Sequence, residues 1–172
     1  MRISDFIFLC FFLVLSHAHE ASARQSTLAA FSPSPKAIEL VVHTIEAAKD
    51  SIDVAAYSFA SEKVSDALIA SHERGVTIRV VLDKSHAARR YPAVEALHEA
   101  GIAIRINHHY AIMHNKYLII DDVTVETGSF NFTANAERRN AENVLVIKNN
   151  KTLASKYRED WDKLWDEGVK YE

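Results

Sequence analysis

Apolar residues recur in two rhythms along this chain, and the switches between them mark out its elements. Thr27 to Phe31 reads as a short strand, and Ser32-Pro33-Ser34-Pro35 reads as a turn into a helix, with Ser34 as N-cap and Pro35 at the first helical position. Ile38, Val41, Val42 and Ile45 then repeat at helical spacing. Ser51 to Tyr57 reads as a strand, Ser61 caps a second helix carrying Val64, Leu68 and Ile69, and Gly75 ends it. Val76 to Leu82 is the next strand, Pro92 to about Ala100 a third helix stopped by Gly101, and Ile102 to Ile106 a strand again. The order so far is βαβαβαβ.

After Ile106 the rhythm shortens to closely spaced strands at Lys116 to Ile120, Thr124 to Thr127 and Asn143 to Ile147, with polar turns between them. Leu153, Tyr157, Trp161, Leu164 and Trp165 form a helical stripe that predicts a closing helix packed on the core rather than a platform for stacking bases. The pattern predicts an α/β fold: a mixed β-sheet flanked by helices, in a single domain.

Composition changes the picture in two places. Lys and Arg number 20 against 23 Asp and Glu, so any polyanion must be held by a local basic surface, and a small, highly basic binding protein is excluded. With 1 cysteine among 172 residues, neither an intramolecular disulfide nor a thiolate zinc site can form. That cysteine, Cys10, lies in the apolar run Phe6 to Leu15, which follows Arg2 and precedes Ala21-Ser22-Ala23. The run is about half of the ~20 residues a bilayer-spanning helix needs. With the small-residue pair Ala21 and Ala23 it predicts a secretory signal peptide over residues 1–23, cleaved after Ala23. The mature chain, 24–172, would hold no cysteine and tolerate an oxidising periplasm or external medium.

The chemistry gathers in His114-Asn115-Lys116-Tyr117-Leu118-Ile119-Ile120-Asp121, followed by Gly128-Ser129-Phe130-Asn131. Alternate residues of an extended strand share a face, so His114 projects with Lys116, and Ser129 with Asn131. A neutral imidazole can attack phosphorus, an ammonium can hold a non-bridging phosphate oxygen, and an amide can add a hydrogen bond as charge builds there. Asp121, five positions after Lys116, falls on the opposite face or past the strand end, so a structural role is expected for it. His108 and His109 are adjacent and lack a carboxylate at ligand spacing, which favours a loop at the site mouth over a metal site.

These residues spell H-x-K-x4-D-x6-G-S-x-N, and on them the chain resembles the phospholipase D superfamily, in particular its small bacterial Nuc endonuclease branch. The resemblance implies a phospholipase D-like α/β sandwich over 24–172, with His114 as nucleophile and acid-base group and Lys116 and Asn131 binding phosphate. It implies a phosphohistidine intermediate, and neither a cofactor nor a metal. It further implies a homodimer with a shared active site, because one chain supplies one motif histidine and the mechanism uses two. Ser129 is expected to bond the phosphate or shape its turn, and Glu142 matches an acidic residue that orients the histidine in this family.

Two substrates remain open. The basic residues Arg89, Arg90, Arg138 and Arg139 would line a groove for DNA, with RNA left open beside it, in contacts blind to sequence. No mature stretch reads as a membrane-surface helix, so no stable membrane association is expected after cleavage. The alternative is a membrane-associated phospholipase D-type lipid phosphodiesterase, which would resemble the mitochondrial branch of the superfamily.

Overall fold

Ser34 and Ser61 act as the helix caps their positions predict, accepting from the backbone N–H of Lys36 at 3.2 Å and of Val64 at 3.4 Å. The computed structural model describes residues 24–87 and 90–172, so the leader expected over 1–23 and the side chain of Arg89 lie outside the described residues. In chain order the elements are β1 (Ser26–Ser32), α1 (Pro35–Glu46), β2 (Ser51–Ala56), α2 (Glu62–Glu73), β3 (Thr77–Asp83), α3 (Pro92–Glu99) and β4 (Ala103–Asn107). There follow β5 (Lys116–Ile120), β6 (Thr124–Gly128), α4 (Ala134–Arg138), β7 (Glu142–Lys148), α5 (Lys151–Glu167) and β8 (Val169–Lys170).

The strands form one eight-stranded sheet in the order β1-β7-β6-β5-β2-β3-β4-β8. Strands β2, β3 and β4 run parallel, as helical crossovers between them require. Strand β5 then enters antiparallel to β2 and begins an antiparallel meander through β6 to β7, closed by β1. This is the mixed sheet that the switch in sequence rhythm predicts.

Each face of the sheet has its own core. Leu118, Ile120, Val54 and Val146 pack with Ile38, Val41, Leu68 and Leu97 of α1 to α3. On the other face Tyr117, Ile119, Ala55 and Val125 pack with Ala154, Trp161 and Leu164 of α5. The closing stripe is therefore core packing, and Trp161 also donates its indole N–H to the Val54 carbonyl at 3.0 Å. Buried Asp53, on the same face, accepts from Arg79 Nε at 2.8 Å and from Arg158 of α5. Arg79 also lies 4.2 Å over the Trp161 ring, so charge pairing and cation–π attraction pin α5 to the sheet.

The unpredicted elements are short ones: α4, β8 and a 3-10 turn at Lys84–His86. None of them is long enough to show a period.

Candidate active site

Antiparallel pairing brings the two halves of the motif together. Because β5 runs against both β2 and β6, its first residues lie beside the end of β2 and the end of β6: Lys116 pairs with Ala56, and Tyr117 with Thr127. The start of β7 joins the same corner, with Gly128 opposite Val144. Gly128 is required by that approach, since a Cβ there would stand 2.1 Å from the Asn143 carbonyl oxygen.

His114 is exposed, while Lys116 is 8% exposed and sits at the rim of the core. Lys116 Nζ donates to the His114 carbonyl at 2.6 Å and lies 3.2 Å from His114 Nδ1. With the ammonium charged, Nδ1 is the acceptor, and a neutral ring carries its proton on Nε2. Burial pulls the Lys116 pKa below the ordinary lysine value, and the Glu142 charge partly offsets it. Asn131 is half-buried, its Oδ1 has no hydrogen-bond partner and its Nδ2 donates to no group among the described residues, so the whole amide is uncommitted. Its segment is clamped to the turn after β2, with Phe132 N–H donating to Ser58 at 3.2 Å and Ala60 N–H to Phe132 at 2.8 Å.

Sequence reasoning missed Tyr57. Its ring centroid is 4.4 Å from that of His114, Lys116 Nζ lies 5.2 Å over it, and its N–H donates to Asn115 at 3.0 Å. The ring forms a wall that limits the imidazole's rotation. An aromatic residue at a strand end carries no signal of its own; only the β2–β5 register reveals this one.

The supporting residues fall at two ends of the sheet. Ser129 donates its hydroxyl to Glu142 Oε2 at 2.5 Å and accepts from Asn143 N–H at 3.1 Å, and Asn140 Nδ2 donates to Glu142 Oε1 at 3.0 Å. Within one chain Glu142 thus holds the Ser129 turn and makes no hydrogen bond to His114, whose Nδ1 faces Lys116 instead. Asp121 lies at the far end of β5, roughly 16 Å from the start of the strand at ~3.3 Å per residue. Its carboxylate accepts from the N–H groups of Lys49, Asp50 and Ser51, at 3.0, 2.8 and 3.0 Å, and staples the entry to β2. Asp121→Ala is expected to cost about 2 kcal/mol in chemical denaturation by stripping these N–H groups of their acceptor. Asp121→Asn should keep most of the turnover at low temperature, and a kcat collapse in a folded Asp121→Asn protein would place the residue in the chemistry instead.

Of the basic residues, Arg138 and Arg139 are exposed at the end of α4 and form no ion pair among the described residues. Arg90 is held by Glu95 at 2.9 Å. His109 lies in the loop before His114, its ring against Tyr110 and its Nε2 3.9 Å from Glu167.

An exposed imidazole, a cation beside it and an uncommitted amide, gathered at one corner of a mixed α/β sheet, are the groups that attack on a phosphate ester would call for. Comparison with known proteins agrees. Residues 41–165 match the family described as "Cardiolipin synthase, PLD-like domain". A curated phospholipase D of Rickettsia prowazekii is 38% identical over 139 residues, 81% of this chain and 67% of that protein. A mitochondrial cardiolipin hydrolase of Chlamydomonas reinhardtii is 32% identical over 79% of this chain and 60% of its own length. The crystal structure of Nuc, a phospholipase D family member from Salmonella typhimurium, superposes with a TM-score of 0.82 at 39% identity, over 86% of this chain and 99% of Nuc. The chain belongs to the phospholipase D superfamily and is one of its phosphodiesterases.

Proposed function

We propose that this protein is an exported, metal-independent endonuclease that cuts DNA, and RNA alongside it, without sequence preference. The observation that carries the reading is a histidine–lysine pair beside an uncommitted amide, in a chain whose exposed Arg138 and Arg139, at the end of α4, form no ion pair among the described residues. Exposed guanidinium groups of this kind suit a run of backbone phosphates.

The chemistry takes two histidines. Substrate draws the Lys116 ammonium onto a non-bridging oxygen, which frees the His114 ring of one protomer to carry its proton on Nδ1. Nε2 of that ring then attacks phosphorus, forming an N–P bond as the P–O bond to the leaving group breaks, and His114 of the partner subunit protonates the departing oxygen. The partner's His114 then takes a proton from water, which cleaves the N–P bond and frees the enzyme. Lys116 and Asn131 stabilise the charge on the non-bridging oxygens throughout. Exposed Phe31 (66%) and Ile112 (55%) support the pairing of two chains: Phe31 pairs with Asn143 beside the Ser129 turn, and Ile112 stands two residues before His114. Residues 1–23 would direct export and be removed after Ala23.

A second reading rests on the relatives named phospholipase D and cardiolipin hydrolase, which favour a lipid phosphodiester. One experiment separates the two: nicking of supercoiled plasmid in excess EDTA, run beside headgroup release from anionic phospholipid vesicles. Plasmid nicking with intact vesicles is the expected result; headgroup release with intact plasmid would overturn the nuclease reading.

A further inference from the structure

Beside His114 and Lys116 the site continues into a cleft of about 570 Å³ that the reaction above leaves unused. Thr127 and Gly128 of β6 and one face of α5 line it. On α5, Leu153, Lys156, Tyr157 and Asp160 recur at helical spacing and look into the same space.

The polar groups in this cleft are not equally occupied. Asp160 Oδ2 accepts from Tyr117 Oη at 2.8 Å and from Asn115 Nδ2 at 3.0 Å, so its carboxylate is engaged by the wall itself. Lys156 is exposed and forms no ion pair among the described residues. Tyr157 is half-buried, with its ring held edge-on to Tyr117 at a centroid distance of 4.9 Å. What the cleft offers a ligand is therefore a free cation, an immobilised aromatic ring and the apolar side chain of Leu153, within reach of the reacting phosphate. A phosphate joined to a planar base meets those three groups together, because a cation tracks the backbone while an aromatic ring carries the base face. The engaged carboxylate and the cation make the same walls poor cover for an acyl chain.

On these grounds, and resting on the nuclease reading, we infer that this cleft is a nucleotide subsite: Lys156 pairs with the phosphate next to the scissile one, and Tyr157 with Leu153 supports the intervening base. Sequence preference is not expected from it, since every base presents a stacking face.

The test compares two substrates of the mature protein: oligothymidylate, which fills the subsite, and bis(p-nitrophenyl) phosphate, a diester with no neighbouring nucleotide. Lys156→Ala and Tyr157→Leu should each lower the ratio of kcat/KM for the oligonucleotide to that for the small diester by about tenfold, mainly through KM. Lys156→Arg should restore it. Lys151→Ala, at the start of α5 and facing Asp121 and Arg158 outside the cleft, should leave the ratio in place. Lys156→Ala should also flatten the dependence of log KM on log salt by about 0.7, the share of one phosphate contact on a single strand. An active enzyme whose ratio and salt slope ignore both substitutions would overturn the subsite. Failure of the wild type to cut oligothymidylate while it hydrolyses the small diester would instead overturn the nuclease reading beneath it. Loss confined to headgroup release from phosphatidylglycerol vesicles would assign the cleft to a lipid and refute the nucleotide.

Discussion

His114→Ala is expected to lower phosphodiester hydrolysis by at least about 10⁴-fold while leaving the fold intact. The magnitude follows from the double use of this residue: in a paired site one substitution removes both the nucleophile and the acid, and groups acting as a unit fail together. The fold should survive because His114 is exposed and its ring takes part in no core cluster. Substrate labelled at the scissile phosphate should leave an acid-labile, base-stable label on denatured wild-type protein and none on the variant. The pH–rate profile of the wild type should be bell-shaped, because one imidazole must be neutral and the other protonated, and its limbs belong to the pair. Lys116 adds to the alkaline limb, since burial lowers its pKa and its ammonium is lost earlier than an ordinary lysine's. Residual nicking by His114→Ala at the wild-type rate would remove the histidine from the chemistry.

The difference between what the sequence shows of this site and what it hides is one of range. The motif residues are legible because each stands at a fixed offset along one or two strands, where parity alone puts His114 with Lys116 and sends Asp121 elsewhere. The helix caps, the closing stripe and the change from parallel to antiparallel strands are legible for the same reason: each is written in local rhythm. Tyr57 and Lys156 are not: Tyr57 stands 57 positions before His114 and meets it through the β2–β5 register, and the face of α5 that carries Lys156 reaches the site through the docking of α5, where Asn115 bonds Asp160 45 positions on; sequence periodicity encodes neither. Glu142 shows the other limit. A motif resemblance names the residue but not its partner, and within one chain that partner is Ser129.

Glu126 carries the largest expected effect on stability. It lies in the middle of β6, 1% exposed, with Leu118 and Val146 as its cross-strand neighbours on the face covered by α1 to α3. Its Oε2 has no hydrogen-bond partner among the described residues, and burial pushes the carboxyl up to about 8 from an ordinary 4.5. The folded protein therefore keeps this proton through a range in which the unfolded chain releases it. Below pH 4.5 both states are protonated and the residue costs nothing through ionisation. Between pH 4.5 and 8 the unfolded state gains by ionising, so stability falls by ~1.4 kcal/mol per pH unit, about 4 to 5 kcal/mol across the window. Above pH 8 both states are ionised and the loss levels off. Glu126→Gln keeps the shape and cannot ionise, so it removes this dependence and leaves a flatter curve. Urea unfolding at pH 5 and at pH 8.5 measures it: the two proteins should be close in stability at the lower pH, and the variant more stable by several kcal/mol at the higher. Parallel pH curves would mean that Glu126 is ionised in the fold and held by a compensating charge. The effect is separable from catalysis, because Gly128 and the Ser129 turn lie between Glu126 and the reacting groups, so turnover per folded molecule at neutral pH should follow the wild type.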